Sequence, residues 1–248
     1  MFPTYEEAYM LATSEFDKLS YEEKTMLKFS KLTEVNKLVK ILIFERKFFD
    51  EIFLLEELLD KFRYTFEKLI NSEEIKILLK MLLDLGNMIN SDFLGRTKKL
   101  SGFKLSSINL FFDYKGQNDY NLFKYLMECI DDKNMIENLI KDFKYLDFVR
   151  KEHLSKIKDK INFFIIQYSE NLEIFYSLEY DKETFKNFLV FVSDKLDDIK
   201  IKYEECVIQA NKIKIMFDEN DKKNVIEILD NIGTLISKVI NYKNSSNV

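Results

Sequence analysis

The sequence predicts an all-α fold, and three observations carry that prediction. Only one proline and five glycines occur in 248 residues, so few points force a helix to stop. Hydrophobic residues make up 46% and charged residues 33%, enough to bury a sizeable core and still give long helices solvated faces. Apolar residues recur at alternating steps of four and three along three separate stretches, as they do in helices that pack along a seam.

Taken in order, Thr4 and Glu7 form a capping box behind Pro3. They open a first helix that turns Tyr5, Ala8, Tyr9 and Leu11 or Ala12 inward. Ser20 and Glu23 repeat the device and open a short helix over about residues 20–30 that buries Met26, Leu27 and Phe29. The first seam follows: Phe48, Ile52, Leu55, Leu59, Phe62, Phe66, Leu69. A leucine-rich helix then leads into Gly86-Asn87-Met88-Ile89-Asn90, where a helix end is expected. Beyond it, about 30 residues carry three of the five glycines and little periodicity, and helix resumes near Asn121. A second seam runs through Leu154, Ile157, Ile161, Phe164 and Tyr168, is interrupted at Asn171, and resumes at Phe175 and Leu178. The third is unbroken: Phe185, Leu189, Val192, Leu196, Ile199, Tyr203, Cys206, Ala210, Ile213, Phe217. The short stretch around Glu179–Lys182 makes these last two an antiparallel hairpin. A helix as long as the third seam extends about 50 Å at about 1.5 Å per residue. The expected architecture is an elongated helical rod with an antiparallel three-helix coiled-coil segment and a helical subdomain.

Composition also excludes. A formal charge of −5 opposes whole-surface attraction to nucleic acid or anionic lipid. Two cysteines, Cys129 and Cys206, are too few for a disulfide framework and suit a reducing compartment. The single histidine, His153, is read as a surface residue, and no metal site or cofactor is expected. Gly95-Arg96-Thr97-Lys98-Lys99 lacks the spacing of a phosphate-binding loop, and no nucleophile-histidine pairing stands out, so no enzyme is expected. With no apolar leader and no 18-residue apolar run, neither secretion nor a membrane partner is indicated, and the cytoplasm is the expected location. One stretch departs from the global charge. Between residues 94 and 125, six bases (Arg96, Lys98, Lys99, Lys104, Lys115, Lys124) face two acids (Asp113, Asp119), a local charge of +4.

That same region resembles a known family. Gly86-Asn87-Met88-Ile89-Asn90, then Gly102-Phe103-Lys104-Leu105-Ser106-Ser107-Ile108, Asp113-Tyr114-Lys115 and Leu122-Phe123-Lys124-Tyr125-Leu126 resemble the linked motifs of the formin homology 2 domain in order and spacing. Pro3-Thr4-Tyr5-Glu6-Glu7, Leu19–Glu23, Phe185–Phe188 and Phe217-Asp218-Glu219-Asn220 are similar to further family motifs, so the resemblance runs through essentially the whole chain. It departs at Asp218, where the family has glycine, and at Val225 and Leu229, which replace paired phenylalanines. The resemblance implies the C-terminal portion of that domain. On that reading, 1–47 is part of the knob, 48–72 a coiled-coil helix, 73–150 the post, 151–217 a coiled-coil hairpin and 218–248 the last post helix. The tryptophan-bearing lasso is expected to be missing.

The implied function is an actin-binding module that nucleates filaments and associates with growing barbed ends when intact and dimeric, in the cytoplasm and cytoskeleton. The alternative is a helical scaffold or microtubule-associated rod that keeps the fold without actin assembly. Implied partners are actin, a second copy of the domain (this chain being expected as a monomer) and profilin-actin through a segment outside this chain. Lys115 is the sharpest implied actin contact, with Asp113 and Lys104 beside it. Gly86, Asn87, Asn90, Gly102, Phe103 and Leu105 form the implied post motif on the side that receives the lasso. From the residues alone, Gly86 and Gly102 are expected to permit conformations or close approaches that a Cβ forbids. Asn87 and Asn90 are expected to satisfy helix-end groups, as a helix cap and loop clamp or as partner contacts.

Overall fold

Every element is helical among the residues that the computed structural model describes, which are 10–11, 13–30, 33–94, 99–114, 121–130, 133–178, 182–217 and 225–246. In order they are α1 (Tyr21–Ser30), α2 (Thr33–Asn71), α3 (Glu73–Leu94), α4 (Ile108–Asp113), α5 (Leu122–Glu128), α6 (Lys133–Asp142), α7 (Leu146–Val149), α8 (Leu154–Tyr176), α9 (Lys182–Met216) and α10 (Val225–Ser246). Single 3-10 turns lie at Phe16–Lys18 and Leu105–Ser107. The capping box expected at Thr4 and Glu7 lies outside the described residues. The second one forms: Glu23 N donates to Ser20 Oγ at 3.1 Å and Ser20 N to Glu23 Oε2 at 2.7 Å. Leu27 of α1 is buried as expected, but Met26 is 38% exposed.

The chain divides into two compact units, each built from two separated stretches. One comprises Met1–Glu56 and Ile157–Ile201, the other Glu57–Lys156 and Lys202–Val248. In the first, the seam of α2 supplies Ile41, Phe44, Phe48, Ile52 and Leu55, all buried. The Phe48 ring meets Phe164 of α8 at 5.5 Å and Phe188 of α9 at 6.2 Å, both edge-on, the geometry preferred by the ring quadrupole. Phe44 meets Phe188 at 5.8 Å and, further along both helices, Glu56 pairs with Lys195 at 2.8 Å, so α2 and α9 run in the same direction. α8 runs against them, because Lys37 donates to Ser177 O at 2.8 Å while Glu51 lies 3.7 Å from Lys160. The expected hairpin of α8 and α9 therefore forms, and the boundary drawn between 47 and 48 falls inside the single helix α2.

Asn171 corrects the reading of the second seam. The step from Tyr168 to Asn171 and on to Phe175 keeps the spacing, and Asn171 is buried at 5% exposure rather than breaking the stripe. Its Nδ2 donates to Gln167 O at 2.7 Å, while its Oδ1 has no hydrogen-bond partner among the described residues.

In the second unit the α2 seam continues through Leu59, Phe62, Phe66 and Leu69, and α9 contributes Cys206, Ala210 and Ile213, all buried. α10 is the inner helix. Its buried Val225, Ile228, Leu229, Ile232, Leu235, Ile236 and Val239 pack it against the Leu105–Ser107 turn, α4, α6 and α7. Mid-helix Gly233 lets α7's flank come close: a Cβ there would lie 3.0 Å from the Arg150 guanidinium. Among the described residues, no helix is long and apolar enough to cross a membrane.

Candidate functional site

α3 positions the site. Its buried residues, Ile75, Leu78, Leu82 and Leu85, recur at helical spacing and leave Gly86, Asn87 and Asn90 half-buried where the next turn begins. The helix does not end there, as expected from the sequence, but continues to Leu94. The aperiodic stretch beyond it also holds the 3-10 turn and α4.

Asn87 uses its side-chain amide as a substitute for a neighbouring backbone strand. Its Oδ1 accepts from Leu100 N at 2.7 Å and its Nδ2 donates to Leu100 O at 3.0 Å. One residue earlier, the missing Cβ of Gly86 makes room for a ring: a Cβ would lie 3.3 Å from Phe111 Cζ, tighter than side chains ordinarily pack. Phe111 is in turn 6.1 Å from Phe103. Adjacent residues of α3 thus grip the start and the end of the segment 100–111.

Between the grips the chain makes a short turn. Lys104 is extended (φ −74°, ψ 135°) and exposed, and its carbonyl accepts from Ser107 N at 2.8 Å. Leu105 and Ile108 are buried, at 5% and 0% exposure, and fix the turn from below, while Phe103 is half-buried. Asp113 ends α4 and is exposed. Lys115 lies outside the described residues, but its flanks come together, because Leu122 N donates to Tyr114 O at 3.3 Å. Asn121 then caps α5 by accepting from Lys124 N at 2.6 Å. From behind, α10 braces these elements: Lys238 Nζ sits 4.4 Å from the centre of the Phe112 ring, which meets Phe123 at 5.3 Å. Lys99, Lys104 and Lys124 are all exposed.

Two expectations fare differently from Gly86 and Asn87. Gly102 needs no glycine for space or conformation, since a Cβ would meet nothing within 4 Å and its φ is not in the left-handed region. Gly102, Phe103 and Leu105 instead line an open groove of about 440 Å³ together with Leu79, Leu83 and Phe217. Asn90 lies within α3, four residues before its last residue, Leu94. Sequence reading missed Leu100 and Phe111, the residues that Asn87 and Gly86 actually grip. A signal existed: asparagine and glycine are both poor helix formers, and adjacent in a strongly apolar helical run they imply work outside the helix.

The sequence matches the family described as the Formin Homology 2 Domain over residues 1–239. The chain belongs to that family. Among curated formin-related sequences, it is 24% identical over 151 residues to Disheveled-associated activator of morphogenesis 1-A of Xenopus laevis, covering 60% of this chain and 14% of that protein. It is 27% identical over 164 residues to Formin-like protein 7 of Oryza sativa subsp. japonica, covering 64% and 12%. Formin-like protein 3 of Danio rerio is 32% identical over 99 residues, 40% of this chain and 9% of that protein. The chain thus spans a small fraction of the length of these relatives. The formin homology 2 match takes in α1 to α9 and most of α10, so both grips of the clamp and the basic stretch lie inside it.

Proposed function

We propose that this chain is the actin-binding module of a formin, acting in filament nucleation and at growing barbed ends when the domain is intact and dimeric, within the cytoskeleton. The observation that carries the reading is the family match over residues 1–239. The site's chemistry supports it. A clamped segment bearing exposed Lys104 and Asp113 leads to Lys115, in a stretch of local charge +4 within a chain of −5. Flexible, cationic lysines suit the acidic surface of an actin subunit. Gly86, Asn90, Gly102, Phe103 and Leu105 would serve as the receiving face for the strap of a second copy, with Asn87 holding Leu100 of that face in place, and profilin-actin would be delivered through a segment outside this chain.

The test is barbed-end elongation from preformed actin seeds in the presence of this chain, beside Lys115→Asp and Lys104→Asp. Slowing by the parent chain that each substitution weakens is the expected result. Slowing that both variants retain would remove these lysines from the reading. No slowing by the chain, or by a version extended with upstream sequence, would turn the reading to a helical scaffold or microtubule-associated rod.

A further inference from the structure

We infer that Gly86 and Asn87 form a two-point anchor for the segment 100–111, and that Asn87 is a positioning residue for Lys104 rather than a partner contact. This inference rests on the reading that the segment faces actin.

The argument begins with what holds the segment. Its second half is held by burial, with Leu105, Ile108 and Phe112 at 5%, 0% and 9% exposure. Its first half is not. Lys99, Leu100, Ser101 and Gly102 are all exposed, and the Leu100 side chain keeps 50% of its surface in solvent. Packing therefore does little to fix Leu100, whereas the Asn87 amide binds both of its backbone polar groups, at 2.7 and 3.0 Å. A side chain committed in this way on both oxygen and nitrogen has little left for bidentate recognition of a partner.

Gly86 supplies the second point from the opposite end of the segment. With Phe111 Cζ only 3.3 Å from where a Cβ would stand, the ring lies directly on the α3 backbone, and its 6.1 Å approach to Phe103 carries that support to the residue before Lys104. Lys104 then lies between Phe103 and buried Leu105, at the start of a turn closed by its own carbonyl. Its orientation depends on where the two grips hold the chain. Residues 86 and 87 are neighbours on one helix, so the two grips cannot move independently.

The experiment pairs amide hydrogen exchange with seed elongation on the full chain, using Asn87→Ala, Asn87→Asp and Gly86→Val. Asn87→Ala should speed exchange of the Leu100 amide by about fivefold or more, the loss expected when a hydrogen bond of ordinary net strength is removed. Exchange in α9 should stay as in the parent. Asn87→Asp keeps the acceptor for Leu100 N and loses the donor, so it should fall between parent and Asn87→Ala. Gly86→Val should speed exchange in α4 around Phe111. In elongation, Asn87→Ala should weaken the slowing several-fold when Lys104 is present and change nothing further in the Lys104→Asp background, a coupling that general destabilisation would not produce.

Unchanged exchange of the Leu100 amide in Asn87→Ala would overturn the anchor. An equal loss from Asn87→Ala in both Lys104 and Lys104→Asp backgrounds would overturn its positioning role. If the parent chain does not affect actin at all, the reading of function fails, and the exchange measurement still decides the anchor by itself.

Discussion

At the scale of single residues, burial decides reactivity and stability in ways that side-chain identity alone does not. Cys206 is fully buried, and that burial pushes its thiol up to about 12, with Leu59 O accepting from the sulfur at 3.6 Å. Cys129 is exposed. Native protein should therefore show one thiol that alkylates promptly near neutral pH and a second that reacts only on unfolding; two prompt thiols would mean that the seam around Cys206 opens readily. Asn171 makes a second case. Its orphaned Oδ1 in an apolar seam costs about 1–3 kcal/mol, so Asn171→Leu should raise the melting temperature, provided the larger apolar side chain fits the space. In the sequence Asn171 looked like a break because it is polar; the spacing around it was the better guide.

Elements show where local chemistry is legible and where it misleads. The second capping box was readable from Ser20 and Glu23 alone, because both hydrogen bonds are made within four residues. The start of α3 combines an equally local cap with one distant group, Asn138. Ser72 caps the helix by accepting from Ile75 N at 3.2 Å, and Ser72→Ala should cost about 1 kcal/mol of stability in a denaturant titration. Glu74 is held below the ordinary carboxylate range by its own backbone N–H, by Asn138 and by Ser72, against the opposing effect of burial. A depressed folded pKa means that its contribution is present above the ordinary glutamate value of about 4.3 and fades as pH falls through the lower, folded value. Glu74→Gln should flatten that acid limb of a stability profile; an unaltered limb would assign it to other carboxylates. The end of α3 misled for the opposite reason. Gly86 and Asn87 look like a helix stop, yet their partners are Phe111 and Leu100, which no local pattern reveals.

For the whole molecule, periodicity carried the all-helical class and all three seams, since each depends only on spacing along one helix. Which helices run together depends on pairings such as Glu56 with Lys195, 139 residues apart, which spacing cannot show. Charge is the property of the whole chain with a direct consequence for partners. If a +4 stretch in a −5 chain faces an acidic actin surface, slowing of seed elongation should weaken as ionic strength rises from about 0.01 to 0.15 M, where the Debye length falls from about 30 to 8 Å. Indifference to salt would place the contact on apolar surface instead.

The interleaving of the two compact units also bears on how the protein is made. Neither is a contiguous piece of the gene, for the first joins residues before Glu56 to residues after Ile157 and the second needs α10. A ribosome adding about 5–20 residues each second will have released Phe48 well before Phe188 exists to cover it. The nascent chain must carry bare phenylalanines until the residues around Phe188 emerge, and holdase chaperones would find their binding sites along the first half of α2.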